Sequence, residues 1–153
     1  MPTTWRIVKK RHVESAFDGE GARRFGGRWN SPGTPVVYTS QSRALALLEV
    51  LAGLRSVKPI PGYVMIQVSF EESLVKTLEA AKLPEEWRQS PPSPLTQILG
   101  DEWAAHQQSA VLQAPSVIVP EEYNFLINPA HPDFKLIRIG TPQEITFDSR
   151  LLP

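Results

Sequence analysis

The stretch RFGGRWNSPGTPVVYTS, residues 24–40, places two adjacent glycines before an arginine, a tryptophan and an asparagine, and then runs into a β-branched segment. Glycines let the backbone bend closely around a ligand. The guanidinium of Arg28, directly after them, suits a phosphate or a carboxylate, although a surface arginine paired with a nearby acid fits the same pattern. Tyr38 fits a sheet-face aromatic as well as a stacking platform. The stretch predicts a tight turn that leads into a strand. It does not decide whether a ligand binds at that turn.

The composition of the chain is that of one globular domain, predicted over residues 1–153. Fifteen prolines, about twice the usual share of ~5%, favour short elements and many turns. Sixteen Lys and Arg balance sixteen Asp and Glu, so no net field draws the protein to nucleic acid. The start, MPTTWRIVKK, lacks the apolar run of a signal peptide, and YVMIQVSF (63–70) is too short to span a bilayer. We therefore expect a cytoplasmic protein without a membrane segment.

Runs of β-branched and aromatic residues, bounded by Pro, Gly or Asn, predict six strands. They cover residues 4–9, 35–40, 63–70, 116–120, 124–128 and 134–139. Helices are predicted over 42–54, with Ser42 as the N-cap, and over 95–113, closed by Pro115. Strands and helices neither alternate strictly nor separate into blocks. This order favours the α+β class over a doubly wound sheet.

The predicted helix over 42–54 carries one glutamate in an almost wholly apolar sequence, which is typical of a helix covered on most sides. The residues at i−3, i+3 and i+4 from Glu49 are two alanines and a glycine, so its carboxylate can look into a recess. A desolvated carboxylate needs a cationic or hydrogen-bonding partner, and Arg28 is the nearest candidate in sequence. A narrow solvent-facing stripe is the alternative explanation, and the helix alone does not decide between the two.

Several common chemistries lack their residue patterns. His12, His106 and His131 are far apart in sequence and form no metal-binding motif, and cysteine is absent, so no metal site is predicted. No G-x-S-x-G elbow exists for a serine hydrolase, and the hydroxyl of Ser116 is of the kind that usually bonds a neighbouring backbone group. The glycines at 19, 21, 26 and 27 form neither a P-loop nor a dinucleotide fingerprint.

Four segments follow one another along the chain: GGRWN (26–30), LLEVL (47–51), PSVIVP (115–120) and N-P-x-H-P-D (128–133). Their order and spacing closely resemble the RES domain family, which is named for its Arg, Glu and Ser and forms the toxin half of bacterial toxin–antitoxin modules. The resemblance runs from Trp5 to about Phe134, whereas residues 71–95 carry no family signature.

This resemblance implies a fold similar to the ADP-ribosyltransferase toxins, with a bent, split β-structure flanked by helices. The family's arginine, tyrosine, glutamate and serine fall on Arg28, Tyr38, Glu49 and Ser116, without departure. Family members consume NAD by hydrolysis or phosphorolysis of the nicotinamide glycosidic bond, or transfer ADP-ribose to a protein. NAD is then the substrate, and no metal or additional cofactor is implied. Asn128 is expected to bind NAD together with Arg28, Tyr38 and Ser116.

Cleavage of this bond develops positive charge on the ribose beside a negative pyrophosphate. We therefore hypothesise that Glu49 bonds a ribose hydroxyl and stabilises the cation, and that Arg28 holds phosphate. Tyr38 would stack on or orient nicotinamide, and Ser116 would position Glu49 or the ribose. The expected function is a toxin that depletes NAD. A mono-ADP-ribosyltransferase and a non-catalytic module that binds a nucleotide or an antitoxin are the alternatives.

The resemblance also implies a partner, a helix-turn-helix antitoxin that covers the active-site cleft. The antitoxin would bind operator DNA on behalf of the complex, which agrees with the zero net charge of this chain. The choice between water, phosphate and a protein as acceptor is open at the level of sequence.

Overall fold

The computed structural model describes residues 1–54 and 62–151. Its α-helices are α1 (Glu20–Phe25), α2 (Arg43–Gly53) and α3 (Pro94–Ala105). Its strands are β1 (Thr3–Lys9), β2 (Val37–Ser40), β3 (Tyr63–Ser69), β4 (Val75–Thr77), β5 (Val111–Pro115), β6 (Tyr123–Ile127), β7 (Arg138–Ile139) and β8 (Gln143–Ile145). Within the described ranges, no helix has both the length and the apolar character that crossing a membrane requires.

The strands form one sheet in the order β4, β5, β6, β2, β1, β3, β7, with β8 also paired to β3. The pair β4 and β5 runs parallel, and the other pairs run antiparallel. A single pair in register, Trp5 with Ser40, joins β1 to β2, whereas β1 pairs with β3 along its whole length. The sheet therefore consists of two halves that meet at the β1–β2 seam. The predicted α+β class is confirmed.

Helices α2 and α3 cover the same face of the sheet. Residues opposite each other in an antiparallel pair project from one face, and the register pairs Tyr38 with Leu126 and Ser40 with Asn124. Helix α3 packs in the apolar cluster that contains Leu126, and α2 packs in the cluster that contains Trp5, the partner of Ser40. Ser40 and Asn124 consequently lie on the helix-covered face, close to the seam.

Arg6 in β1 ties the two halves together beyond the single registered pair. Its Nη1 donates to the carbonyl oxygen of Tyr38 at 2.9 Å, and its Nε donates to that of Ala16 at 2.7 Å. The guanidinium carbon lies 5.9 Å from the ring centroid of Phe17. Desolvation lowers the pKa of Arg6 to about 10, an effect that the charge of Asp18 opposes. A largely desolvated cation thus joins β1 to the strand that carries Tyr38.

Helix α3 is shorter than the predicted helix over 95–113. It ends at Ala105, and Gln107 then adopts a left-handed backbone with φ of 48°. The chain turns there and returns as β5, which pairs with β4 and β6. A short apolar run such as AVLQA is compatible with either a helix or a strand, and pairing with neighbouring strands decides in favour of the strand.

Two predicted strands are also wrong. The apolar run over 116–120 forms a turn, because the Oγ of Ser116 accepts hydrogen bonds from the backbone N–H groups of Ile118 and Val119 at 3.1 and 3.2 Å. Of the run over 134–139, only Arg138–Ile139 is a strand, since a 3-10 helix occupies Pro132–Leu136. Local side-chain hydrogen bonding overrides the β-propensity of the sequence in the first of these segments.

Candidate active site

Glu49 lies in α2, where the helix meets the ends of β5 and β6. The helix begins after Ser42, whose Oγ accepts from the N–H of Leu45 at 3.0 Å, as predicted. The carboxylate is half-buried, and its Oε1 accepts two hydrogen bonds of 2.9 Å, from Ser116 Oγ and from Asn124 Nδ2. Within residues 1–54 and 62–151, no donor contacts Oε2. Glu49 therefore occupies a polar recess rather than a solvent stripe, and one of its oxygens is left for a ligand.

The hydroxyl of Ser116 uses its full hydrogen-bonding capacity. This residue follows β5 directly and is completely buried. Its Oγ accepts from the N–H groups of Ile118 and Val119 and donates to Glu49. A hydroxyl has one donor and two acceptor sites, and all three are occupied. Ser116 therefore bonds neighbouring backbone groups and shapes the turn, as expected for a hydroxyl in this position, and it also orients the carboxylate.

The turn that carries Arg28 is closed by its neighbours. Gly26 has a φ of +72°, a backbone conformation that favours glycine, and the N–H of Gly27 donates to the carbonyl of Asn30 at 2.9 Å. The side chain of Asn30 is completely buried and donates to the carbonyl of Ala22 at 2.8 Å. The backbone is thus held on both sides of Arg28, which leaves the side chain half-buried at the surface of the turn.

The segment over residues 84–89 packs against this turn, although it carries no family signature. Nη1 of Arg28 donates to the carbonyl of Trp87, at 3.3 Å, and to that of Gln89. The ring of Trp87 stacks on that of Trp29, with centroids 6.4 Å apart. Arg88 donates to the carbonyl of Val117, the residue after Ser116, at 3.0 Å. The segment therefore connects the arginine turn to the serine turn.

Arg28 and Glu49 interact through space without a direct ion pair between the two described side chains. Desolvation lowers the pKa of Arg28 below its usual value, and the negative charge of Glu49 opposes that shift. The predicted contact between these residues is therefore electrostatic rather than a salt bridge. Both side chains are only partly buried, so a ligand can place a negative group against Arg28 and a positive group against Glu49.

Helix α3 packs against the turn that carries Arg28. The amide of Gln97 donates to the carbonyl of Gly27 at 3.1 Å. Gly100 lies so close to the turn that a Cβ built on it would stand 1.6 Å from the carbonyl oxygen of Trp29. Only glycine permits this approach of helix to turn. The position of Arg28 therefore depends on α3, a contact that the sequence pattern did not indicate.

The hydroxyl of Tyr38 belongs to the same turn. It accepts from the N–H of Trp29 at 3.1 Å and donates to Oδ1 of Asn30 at 2.5 Å. A Cβ on Gly27 would stand 2.7 Å from this hydroxyl, so the glycine makes room for it. Desolvation raises the pKa of Tyr38 above its usual value, and the bond from Trp29 acts in the opposite direction. Tyr38 lies beside Arg28, and its polar end is committed to holding the turn.

Replacement of Tyr38 by phenylalanine is expected to lower the free energy of unfolding by about 1–3 kcal/mol at pH 7, because two buried partners lose their hydrogen bonds. The raised pKa adds a pH dependence. The unfolded tyrosine ionises above pH ~10 while the folded one stays neutral, so the stabilisation is present below pH ~10 and is lost as the pH rises beyond it. Urea unfolding of both proteins at pH 7, 9 and 11 measures the difference.

Tyr123, whose side chain is 36% exposed, is the matched control, and Tyr123→Phe should leave stability within about 0.5 kcal/mol of wild type. A Tyr38→Phe protein as stable as wild type at pH 7 would contradict the hydrogen bonds that hold the turn. Arg6 is common to both proteins, so its titration near the same pH cancels in the comparison.

Asn128 lies at the opposite end of β6 from Asn124. Its side chain donates to the carbonyl of Ala104 in the last turn of α3 at 3.1 Å, and its Oδ1 accepts from the N–H of Ala130 at 3.0 Å. The structure therefore does not bring Asn128 to the Glu49 cluster, and these contacts account for the residue without a ligand. Its contribution to NAD binding stays a prediction.

The amide that does contact Glu49 is Asn124, which the sequence prediction missed. Asn124 and Asn128 open and close the same apolar run, NFLIN, and their even spacing puts both on one face of a strand. The pattern therefore indicated two buried amides on the helix-covered face. It did not indicate which end of the strand meets α2, since that depends on the sheet order.

Comparison with known proteins places the chain in one family. The RES domain model matches residues 3–148. The "Prs ADP-ribosylating toxin" of Sphingobium sp. (strain YBL2) is 39% identical over 154 residues, which cover 97% of this chain and 95% of that protein. "Toxin Res" of Photorhabdus laumondii subsp. laumondii is 36% identical over 149 residues, which cover 97% and 96% of the two chains.

A solved structure shares the fold. A chain from the crystal structure of the M. tuberculosis MbcT-MbcA toxin–antitoxin complex superposes with a TM-score of 0.71 over 94% of this chain and 84% of that one, at 20% sequence identity. The resemblance noted in the sequence is thus confirmed along almost the entire length of the chain. By its match to the family model and by its near full-length relatives, this protein belongs to the RES domain family.

Proposed function

We propose that this protein is the toxin of a toxin–antitoxin module and that it cleaves the bond between nicotinamide and ribose in NAD. One observation carries the proposal: the Glu49 carboxylate is held by two donors on Oε1, has no donor on Oε2 among the described residues, and lies in the field of Arg28. Membership of the RES family and the toxin names of the relatives support the biological role.

Glu49 supplies the negative charge that the reaction needs. When the C1′–N bond breaks, its electron pair goes to the nicotinamide ring nitrogen, whose positive charge disappears, and the ribose becomes an oxocarbenium-like cation. A carboxylate already fixed in place stabilises this charge without reorganising during the reaction. Oε2 can accept a hydrogen bond from a ribose hydroxyl at the same time. Attack of water on C1′ then yields ADP-ribose and a proton.

Arg28 is suited to hold the pyrophosphate. Its Nη1 is used by carbonyl oxygens of the 84–89 segment, which fixes the plane of the guanidinium. No acceptor among residues 1–54 and 62–151 bonds Nε or Nη2, the pair of donors that can bind an oxyanion side by side. An arginine oriented in advance loses less side-chain freedom when the substrate binds.

Tyr38 and Ser116 have narrower roles in this mechanism. The hydroxyl of Tyr38 is committed to Trp29 and Asn30, so its ring is the part that can contact the nicotinamide. The hydroxyl of Ser116 has no capacity left beyond Glu49 and the turn, and Ser116 therefore positions the carboxylate rather than the ribose.

A second candidate is transfer of ADP-ribose to a cellular protein, which uses the same cleavage and a different acceptor. The name of the Sphingobium relative, an ADP-ribosylating toxin, favours this candidate. A third candidate is a module that binds a nucleotide or an antitoxin without catalysis. This candidate does not explain why two donors hold the Glu49 carboxylate in one orientation.

Incubation of the purified protein with NAD separates the three candidates. We expect free nicotinamide in every case. ADP-ribose accompanies it if water attacks, and a phosphorylated ADP-ribose accompanies it if added phosphate attacks. If a protein is the acceptor, labelled NAD mixed with cell lysate leaves label on a protein band. Release of nicotinamide in none of these arms would exclude both enzymatic candidates and leave the binding module.

We also propose that a helix-turn-helix antitoxin covers this cleft and carries the DNA-binding function of the complex. The similar solved chain comes from a toxin–antitoxin complex. Exposed apolar side chains lie within two residues of the polar cluster in sequence: Leu48 precedes Glu49, Ile118 follows Ser116 and Tyr123 precedes Asn124, and they are 40%, 37% and 36% exposed. We expect the antitoxin, encoded by the neighbouring reading frame, to suppress turnover of NAD in the nicotinamide assay. Turnover unchanged by a stoichiometric, bound partner would reject coverage of the cleft.

A further inference from the structure

The side chain of Asn124 links Glu49 to Ser40 on the neighbouring strand. Its Nδ2 lies 2.9 Å from Glu49 Oε1, and its Oδ1 lies 2.7 Å from the Oγ of Ser40. Asn124 and Ser40 are partners in the register of β6 and β2. Both are buried, with exposed fractions of 8% and 4%. The three residues therefore form a continuous hydrogen-bonded row that leads from the sheet to the carboxylate.

The chemistry of the three groups sets the direction of this row. A carboxylate only accepts hydrogen bonds, so the amide must turn its nitrogen toward Glu49. Its oxygen then faces Ser40, and the serine hydroxyl must donate. The carboxylate prevents a half turn of the amide, because that turn would face the amide oxygen toward it, and Ser40 holds the amide oxygen in place by donating to it. The strand pair thus presents an oriented N–H donor to Glu49.

The two donors on Glu49 converge on one oxygen. Ser116 and Asn124 both donate to Oε1. Ser116 follows the end of β5 and Asn124 lies at the start of β6, and these two ends are neighbours in the antiparallel pair. Two donors at one oxygen fix the rotation of the carboxylate about its terminal bond, and the direction of Oε2 is fixed with it. We propose that Asn124, oriented by Ser40, is a positioning residue that aims Oε2 of Glu49 at the substrate ribose. This assignment rests on the proposed cleavage of NAD at Glu49.

An aimed carboxylate matters most when the ribose becomes a cation. Interactions that strengthen in the transition state affect kcat, whereas uniform binding affects KM. We expect Asn124→Ala to lower kcat for nicotinamide release by about 10–100-fold, with KM changed less than about threefold. This loss is smaller than the ~100–1,000-fold found for a donor that contacts the reacting group itself, because Asn124 acts through Glu49.

The variant Asn124→Asp keeps the shape of the side chain and supplies a second readout. It replaces the donating nitrogen by an oxygen, so at neutral pH two carboxylates face each other. The groups that face Glu49 in the described structure are Ser116 from the end of β5, position 124 in β6 and the positive charge of Arg28. At lower pH the carboxylate pair takes up a proton and a donor returns. The ratio of variant to wild-type kcat should rise at least about threefold between pH 8 and pH 5, a change that mere structural damage would not produce.

A double-mutant cycle tests the role of Ser40. Ser40→Ala removes the anchor, so it should lower kcat in the wild-type background and have little further effect in the Asn124→Ala background. Thr39→Val is the matched control, because it removes a buried hydrogen bond to the carbonyl of Phe125 in the same strand pair without touching Glu49. The control should lose stability and keep the wild-type kcat.

The outcomes separate this inference from the proposed function. A wild-type protein that releases no nicotinamide overturns the proposed cleavage and, with it, the role of Asn124. An active wild type, together with folded Asn124→Ala or Asn124→Asp proteins that keep the wild-type kcat and pH profile, overturns only the positioning role. Additive effects of Ser40→Ala and Asn124→Ala would overturn the link to Ser40.

Discussion

Replacing Glu49 with glutamine is expected to reduce kcat for nicotinamide release by at least about a hundredfold. The reason is the loss of the negative charge that faces the developing ribose cation. The shape of the side chain is kept, and the amide oxygen of glutamine can still accept the hydrogen bonds of Ser116 and Asn124. The variant should therefore fold as the wild type does. Steady-state kinetics with NAD, together with a thermal melt of each protein, measures both effects.

Glu102, an exposed glutamate in α3, is the matched control for the loss of one charge. Glu102→Gln should retain full turnover, because screening by solvent and salt weakens the influence of an exposed charge on Glu49. If Glu49→Gln turned over NAD as fast as wild type while remaining folded, another group would have to stabilise the cation. The proposed mechanism would then be wrong at its central residue.

Gly100→Ala is expected to destabilise the protein by about 3 kcal/mol or more. The added Cβ would lie 1.6 Å from the carbonyl oxygen of Trp29 and 2.7 Å from its carbonyl carbon. Both are backbone atoms of the arginine turn, so neither can swing aside, and α3 must separate from the turn. For a domain of this size, the melting temperature should fall by about 6–12 °C. Chemical unfolding followed by circular dichroism measures the change.

Gly21→Ala gives the opposite result in the same assay. Gly21 lies in α1, and no atom approaches a Cβ built there within 4 Å. Alanine is the better helix former, so we expect a gain of about 0.5–1 kcal/mol. A Gly100→Ala protein as stable as wild type would show that α3 does not dock on the carbonyl of Trp29. The support that α3 gives to Arg28 would then have to be reconsidered.

The sequence predictions were accurate where no turn or local side-chain hydrogen bond competed with the apolar pattern. The strands over 4–9, 63–70 and 124–128 and the helix over 42–54 were predicted to within about a residue or two, because apolar runs bounded by turn residues and a capped helical run are consistent there with the tertiary pairing. The errors came at 134–139, where a 3-10 helix occupies Pro132–Leu136, and at 107–120, where short apolar runs suit either a helix or a strand. There Gln107 and the hydroxyl of Ser116 decide the conformation, and neither is part of a periodic pattern.

The candidate site shows the same division. The small residues around Glu49 left a recess and a solvent-facing stripe both open, and the structure decides for the recess, because α2 presents the carboxylate to a polar cluster. The expected partner, Arg28, acts only through its field, because the turn and the 84–89 segment hold its guanidinium elsewhere. The segment over 71–95 carried no recognisable motif, yet it supplies the carbonyl oxygens that orient Arg28. Backbone atoms leave no mark on a sequence motif.

Linear pattern was thus enough for the α+β class, for the capped helix that carries Glu49, and for membership of the RES family through the order of its motifs. These features depend on periodicity, capping and motif order, which are properties of neighbouring residues. Only the tertiary structure shows that Asn124, 75 positions away, contacts Glu49. It alone also shows that Gly100 lets α3 pack directly against the backbone of the Arg28 turn at Trp29. Such contacts arise from strand order and helix docking, in which the energy depends on distances between residues that are remote in sequence.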